Sequence, residues 1–191
     1  DLRLETIIST AREILAQDGT VCDEETAEKV REFFHDRLYH AAIDRGYRHD
    51  YVRAVLAAGF DDVNDFWTRL AGLTECAMEN WWTELVELVD RTYRIQRDAG
   101  TLRGVRTDLL EEPAEKALAE SLEQERERLE AMFAREEYLS AADAYCSLFS
   151  EDVHDFFEEV FVNVDDEDVR MNRKSLLGHI YRLFADNFAD L

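Results

Sequence analysis

Proline is almost absent, with one residue, Pro113, among 191, and the seven glycines fall largely where a helix would stop. No alternating apolar and polar run competes with a helical pattern, so the chain reads as all-α. No apolar stretch approaches the roughly 20 residues that cross a bilayer, and no basic-then-apolar leader opens the chain. A membrane partner is therefore not expected. The three cysteines, Cys22, Cys76 and Cys146, lie far apart without paired spacing. That argues against a disulfide framework and a zinc site and suits a reducing cytoplasm. Phosphate-cradling Gly-x-x-x-x-Gly-Lys loops, Gly-x-Ser-x-Gly elbows and Cys/His pairs are all missing, so no catalytic, cofactor or metal residue is assigned. Because the chain opens on Asp1 and not on methionine, it reads as a segment of a longer protein.

What is present is a large apolar complement, 46%, beside 35% charged residues. That combination does not meet the low-hydrophobicity signature of disorder, and a chain of this length hides roughly 70% of its unfolded surface. The periodicity predicts a bundle of about eight or nine helices. The first spans about Leu2 to Leu15, the second Asp23 to Gly46, and a short third ends at Gly59. From Val63 to about Arg97 the pattern is helical with a break near Gly72 to Thr74, and Trp81 and Trp82 are assigned to the core. Asp98 to Glu112 reads as a mobile loop. Pro113 opens a solvated helix to about Ala134, where its missing N–H costs nothing. Two further helices are expected, about Glu137 to Phe149 and Glu151 to Phe161 with Ser150 as cap, and a last one runs from about Asp166.

The net charge of −22 would ordinarily argue against a nucleic-acid partner, since phosphate contacts need Lys and Arg. Its distribution is uneven. Residues 91 to 106 hold five arginines against one acid, a balance of +4, and residues 169 to 182 hold Arg170, Arg173, Lys174 and Arg182 against none. Between them, residues 111 to 168 carry 20 acids and four bases. Arg91, Arg94 and Arg97 fall within about 120° of helix surface, and Arg170, Arg173 and Lys174 share a similar arc. Arginine outnumbers lysine 19 to 3, and its planar fork suits bidentate phosphate contact and base stacking. The plainer reading is that these arginines neutralise neighbouring carboxylates.

Two Glu-x-x-His pairs, Glu32 with His35 and Glu151 with His154, have the spacing of a di-iron half-site. Such a site also needs facing glutamates on two more helices, which the pattern does not single out. Among 44 acids such spacings arise by chance. His49-Asp50 likewise has no second His and Asp with a supporting pattern.

Several segments, in order, carry a resemblance. They are Phe34-His35-Asp36-Arg37-Leu38, Arg45 to Leu56, Val89 to Ile95, Leu110 to Leu118, and Phe156-Phe157 through Val160-Phe161-Val162 to Asp166-Glu167-Asp168-Val169-Arg170-Met171-Asn172-Arg173. Leu176-Leu177 and Phe184-Ala185-Asp186 close the series. Together they resemble the C-terminal anticodon-binding region of bacterial glycyl-tRNA synthetase beta subunits. The family's closing module is of the all-helical type named after an Asp-Ala-Leu-Arg signature, here matched by Glu167-Asp168-Val169-Arg170. Departures occur in the basic helix, where Asp90-Arg91 and Arg94 replace the family's usual Lys-Arg and Asn.

The resemblance implies a DALR-type anticodon-binding helical domain over residues 61–191 with an N-terminal helical extension over 1–60. It implies glycine tRNA and a separate alpha subunit as partners, with ATP and Mg2+ used in the holoenzyme and no cofactor in this fragment. The fragment itself is expected to be non-catalytic and cytoplasmic. Unstacked bases would meet arginine planes and aromatic rings, and the expected tRNA contacts are Arg91, Arg94, Arg97, Arg103, Arg106, Arg170, Arg173, Lys174 and Tyr93. Tyr93 could instead belong to the core, and Asn172 and Arg173 could equally tie the last helix to the bundle. The alternative function is a helical subunit-interaction module without tRNA contact.

Overall fold

In the computed structural model, which describes residues 3–191, local cap chemistry sets half of the α-helix starts. Helix α1 spans Leu4–Gln17 and α2 spans Glu24–Asp44, the latter opened by the Asp23 carboxylate accepting the Thr26 N–H at 2.8 Å. Helix α3 is His49–Ala57, and α4, Val63–Cys76, starts on Asp62, which accepts from the Asn64 and Asp65 amides. Such caps satisfy N–H groups that have no intrahelical partner. Helix α5 is Trp82–Gln96 and α6 is Pro113–Ala134 with proline in its first turn. Helix α7 covers Tyr138–Glu159, and α8, Glu167–Ala185, is capped by Asp166. Eight α-helices and no strand occur among the described residues, as the all-α reading requires. Leu2, the expected start of the first helix, lies outside the described residues.

Two expected boundaries move. Helix α4 passes through Gly72 without a break, because this glycine serves close packing: a Cβ there would lie 2.9 Å from the Cβ of Tyr138 on α7. The chain reverses instead at residues 77–81, and Trp81 and Trp82 then pack half-buried against the core. The second correction is at Ser150, which is not a cap. It lies inside a continuous 22-residue α7, with its hydroxyl 3.4 Å from the Cys146 sulfur. The buried face Ala142, Tyr145, Cys146, Phe149, Val153 and Phe156 runs unbroken at helical spacing, and no proline or glycine interrupts it.

One continuous hydrophobic cluster runs from Leu38 to Ala189, with Tyr145, Phe149, Phe184 and Phe188 at its centre. Helices α6 and α7 form an antiparallel hairpin, and α8 packs against α5 and α6. Helix α3 shares this core through Val52, Val55 and Leu56. It is also tied by Arg69, whose buried guanidinium donates to the Val55, Gly59 and Phe188 carbonyls and to Asp65. By contrast α1 buries only Leu4 and Ile8, and the ion pairs Arg12–Glu24 and Arg31–Glu5 join it to α2.

Candidate nucleic-acid interface

The two arginine clusters meet where α5 and α8 run side by side in opposite directions. Tyr93 faces Tyr181 with ring centroids 5.4 Å apart, and Gln96 lies against Gly178. On α5, Arg94 is exposed and pairs with Asp90 at 2.8 Å, and Arg97 is exposed 3.8 Å from Asp98. Arg91 leans the other way, its guanidinium 4.5 Å from the centre of the Phe157 ring on α7. Tyr93 keeps 40% of its surface in water.

The α8 arginines behave differently. Arg173 is 3% exposed and is engaged on every side: Nε donates to Glu115, Nη2 to Glu111 at 3.1 Å, and Nη1 to the Phe161 carbonyl at 3.0 Å. Glu115, fully buried, accepts in turn from the Glu111 and Glu112 amides at the start of α6. With three of its five N–H groups bonded and almost none of its surface in water, this guanidinium is turned into the bundle and away from solvent. It ties α8 to α6, the other of the two roles open to it. Arg170 donates to the Val164 and Asp165 carbonyls at 2.6 and 3.3 Å and so braces the turn before α8. Lys174 is half-buried and makes no ion pair among the described residues.

The arginine loop is not free either. Three polar residues on one face of α8, Asn172, Ser175 and His179, hydrogen-bond its backbone. Asn172 accepts from the Arg106 N–H at 2.7 Å and donates to the Arg106 carbonyl at 3.0 Å. The Ser175 hydroxyl accepts from the Arg103 N–H at 3.1 Å, and His179 Nε2, necessarily protonated, donates to the Arg103 carbonyl at 2.8 Å. Leu102 packs over Gly178, where an added Cβ would lie 2.6 Å from its methyl group. The loop expected to be mobile is thus docked, with a short 3-10 turn at Thr107–Leu109. Its two arginine side chains are exposed, Arg103 3.4 Å from Asp168 and Arg106 2.6 Å from Asp108. The Arg106 hydrogen bond holds the Asp108 carboxyl below the usual carboxylate range. Neither Ser175 nor His179 stands out in the sequence, and their i, i+3 and i+7 spacing with Asn172 on α8 is a weak signal on a helix that also carries six charged residues.

A cleft of about 610 Å³ lies away from this surface, between α3 and the start of α5, beside Arg48, Tyr51, Arg53 and Trp82. Asp50 and Asp190 share its walls and Arg48 is paired to Asp50 at 2.6 Å, so it offers little to a polyanion. No group of three or more His, Cys, Asp or Glu side chains able to hold a metal ion gathers among the described residues. No helix among them is long and apolar enough to cross a membrane.

These features define an all-helical bundle that presents arginine on a fixed surface. No protein-family model matches the chain. It is similar along most of its length to glycine-tRNA ligase beta subunits: 35% identical over 164 residues to that of Desulforudis audaxviator, 86% of this chain and 23% of that protein. The beta subunit of Syntrophus aciditrophicus is 30% identical over 185 residues, 96% of this chain and 26% of its own. That of Nitratidesulfovibrio vulgaris is 38% identical over 176 residues, 84% and 24% respectively. The chain spans about a quarter of the length of these relatives, and it resembles a segment of them.

Proposed function

We propose that this chain is the tRNA anticodon-arm binding module of a glycine-tRNA ligase beta subunit. The observation that carries this reading is the docked arginine loop beside the α5 basic face, in a chain whose relatives bear that subunit's name. Residues 61–191 form the DALR-type binding unit, and residues 1–60 are its N-terminal helical extension, whose α3 is packed into the same core. The contacts are Arg91, Arg94 and Arg97 with Tyr93 on α5, Arg103 and Arg106 on the loop, and Lys174 with Arg170 at the flank. The module performs neither adenylation nor transfer. Those steps, with ATP and Mg2+, fall to the cytoplasmic holoenzyme that the beta subunit forms with its alpha subunit. Gripping the anticodon arm places the distant acceptor end, so that remote binding energy contributes to reaction at another site.

Titration of the chain with glycine tRNA and with the same tRNA carrying a changed anticodon tests this. Tighter binding of the unchanged tRNA is expected, with affinity falling as salt rises by about 0.7 to 0.9 in log–log slope per phosphate contacted. Reversal of Arg91, Arg94 and Arg97 together to glutamate should lower both affinity and slope. Equal affinity for the two tRNAs sinks anticodon reading. Absence of any tRNA affinity favours the second reading, a subunit-interaction module, for which the exposed Ile7, Ile14 and Leu15 of α1 supply an apolar surface.

A further inference from the structure

Between the docked loop and α6 lies an open cleft of about 370 Å³, within the size range of small-ligand sites. Its floor is apolar, made by Val105, Leu122 and Leu176. Its rim is polar, with Thr107 from the loop and Glu123 and Arg126 from α6. Glu123 and Arg126 stand one turn apart on α6, yet neither forms a hydrogen bond or ion pair with the other or with any other described side chain. Arg126 is half-buried and Glu123 exposed, so both charged groups are available at the rim.

A carboxylate that accepts and a guanidinium that donates, side by side over a flat apolar floor, match one kind of ligand edge. A nucleobase presents donors and acceptors together on its polar edge and an apolar face to stack. The loop places Arg103 and Arg106 next in sequence to the cleft-lining Gly104, Val105 and Thr107, so the phosphates on either side of a base seated here would meet two exposed guanidinium groups. Because Asn172, Ser175 and His179 fix the loop backbone, the wall is formed before any ligand arrives, and little ordering cost is left to binding. An acidic peptide would satisfy the arginines but would meet Glu123. From this arrangement we infer that the cleft between the arginine loop and α6 is the seat of one unpaired nucleobase, extruded from the anticodon loop of the bound tRNA. This inference rests on the tRNA-binding reading above.

The test is a set of glycine tRNAs, each with a single base of the anticodon loop replaced, titrated against the full chain and against two variants. In Glu123→Gln/Arg126→Gln the rim loses its charges. In Ala119→Phe, a wall residue of α6, the cleft is filled without touching either of them. Unchanged thermal unfolding midpoints establish that both variants are folded. For both, discrimination between the natural base and its replacements should fall about tenfold or more at one position of the loop and stay as it was at the others. If the chain reads the anticodon but both variants keep discrimination at every position, the cleft is not a base seat and the tRNA-binding reading stands. Wild-type chain that fails to distinguish any of the tRNAs overturns both.

Discussion

Residues 91–106 and 169–182 carry the same signature in the sequence, a net +4 with three basic residues within about 120° of helix surface, and the fold uses the helices they fall on, α5 and α8, in opposite ways. On α5, Arg94 and Arg97 stay in water, tethered only to Asp90 and Asp98. On α8, Arg173 turns inward to Glu115, Glu111 and the Phe161 carbonyl, and Arg170 turns back onto the preceding turn. The difference lies in what faces each helix. The arc of α5 that bears Arg94 and Arg97 looks onto solvent. Arg173 looks onto the start of α6, where a buried carboxylate already collects two backbone amides. A basic face is thus left open to solvent in one place and partly taken up with holding the bundle together in the other.

The sharpest way to break this contrast is to remove one arginine from each side. Arg173→Met leaves the Glu115 carboxylate buried with its charged partner gone, which should cost about 3–5 kcal/mol. Arg94→Met removes an exposed pair and should stay within about 0.5 kcal/mol. Denaturant midpoints at constant m-value measure both. Equal losses would mean that Arg173 is not the structural member of the set.

How much of this was legible in the sequence follows from the range over which each determinant acts. Asp166 and Pro113 mark helix starts within three or four residues, and both starts fall where the pattern puts them. Ser150 misled because a serine after an apolar run looks the same whether it caps a helix or bonds within one, and only the unbroken buried face of α7 decides. Gly72 misled for a related reason: its neighbour is Tyr138, 66 positions away, so close packing cannot be told from a stop. In the site, charge clustering and the arginine loop were visible. The partner of Arg173 was not, since Glu115 lies 58 residues earlier among many other acids. Docking of the loop was hidden because its hydrogen bonds run from side chains of α8 to backbone groups, which any loop sequence possesses.

Asn172 sharpens the contrast further, because it acts on a loop whose arginines belong to the exposed class. Asn172→Ala removes both hydrogen bonds to the Arg106 backbone. Global stability should fall by about 1 kcal/mol, since the freed groups are near solvent and water can replace the asparagine. The larger effect is local. Amide exchange at Arg103 and Arg106 should accelerate while the amides of α5 and α8 keep their protection. Unaltered exchange at those two amides would leave the ladder on α8 without a role in fixing the loop.

The smallest effect concerns the tether between Arg106 and Asp108. The Asp108 carboxyl is held below its ordinary 3.8 by the Arg106 hydrogen bond. A carboxylate with a depressed folded pKa contributes stability that is present above 3.8 and is lost as pH falls through the lowered value. Both groups face solvent, so the contribution to folding is slight and no large acid transition is expected from this pair. The titration itself is the informative quantity. In Arg106→Gln, the Asp108 carboxyl followed by NMR should titrate back toward 3.8. Addition of tRNA to the wild-type chain should move it in the same direction, because a phosphate that takes Arg106 deprives Asp108 of its donor and adds a negative charge nearby. A carboxyl that keeps its depressed titration in the complex would show that Arg106 never leaves it, and the loop would then bind through Arg103 alone.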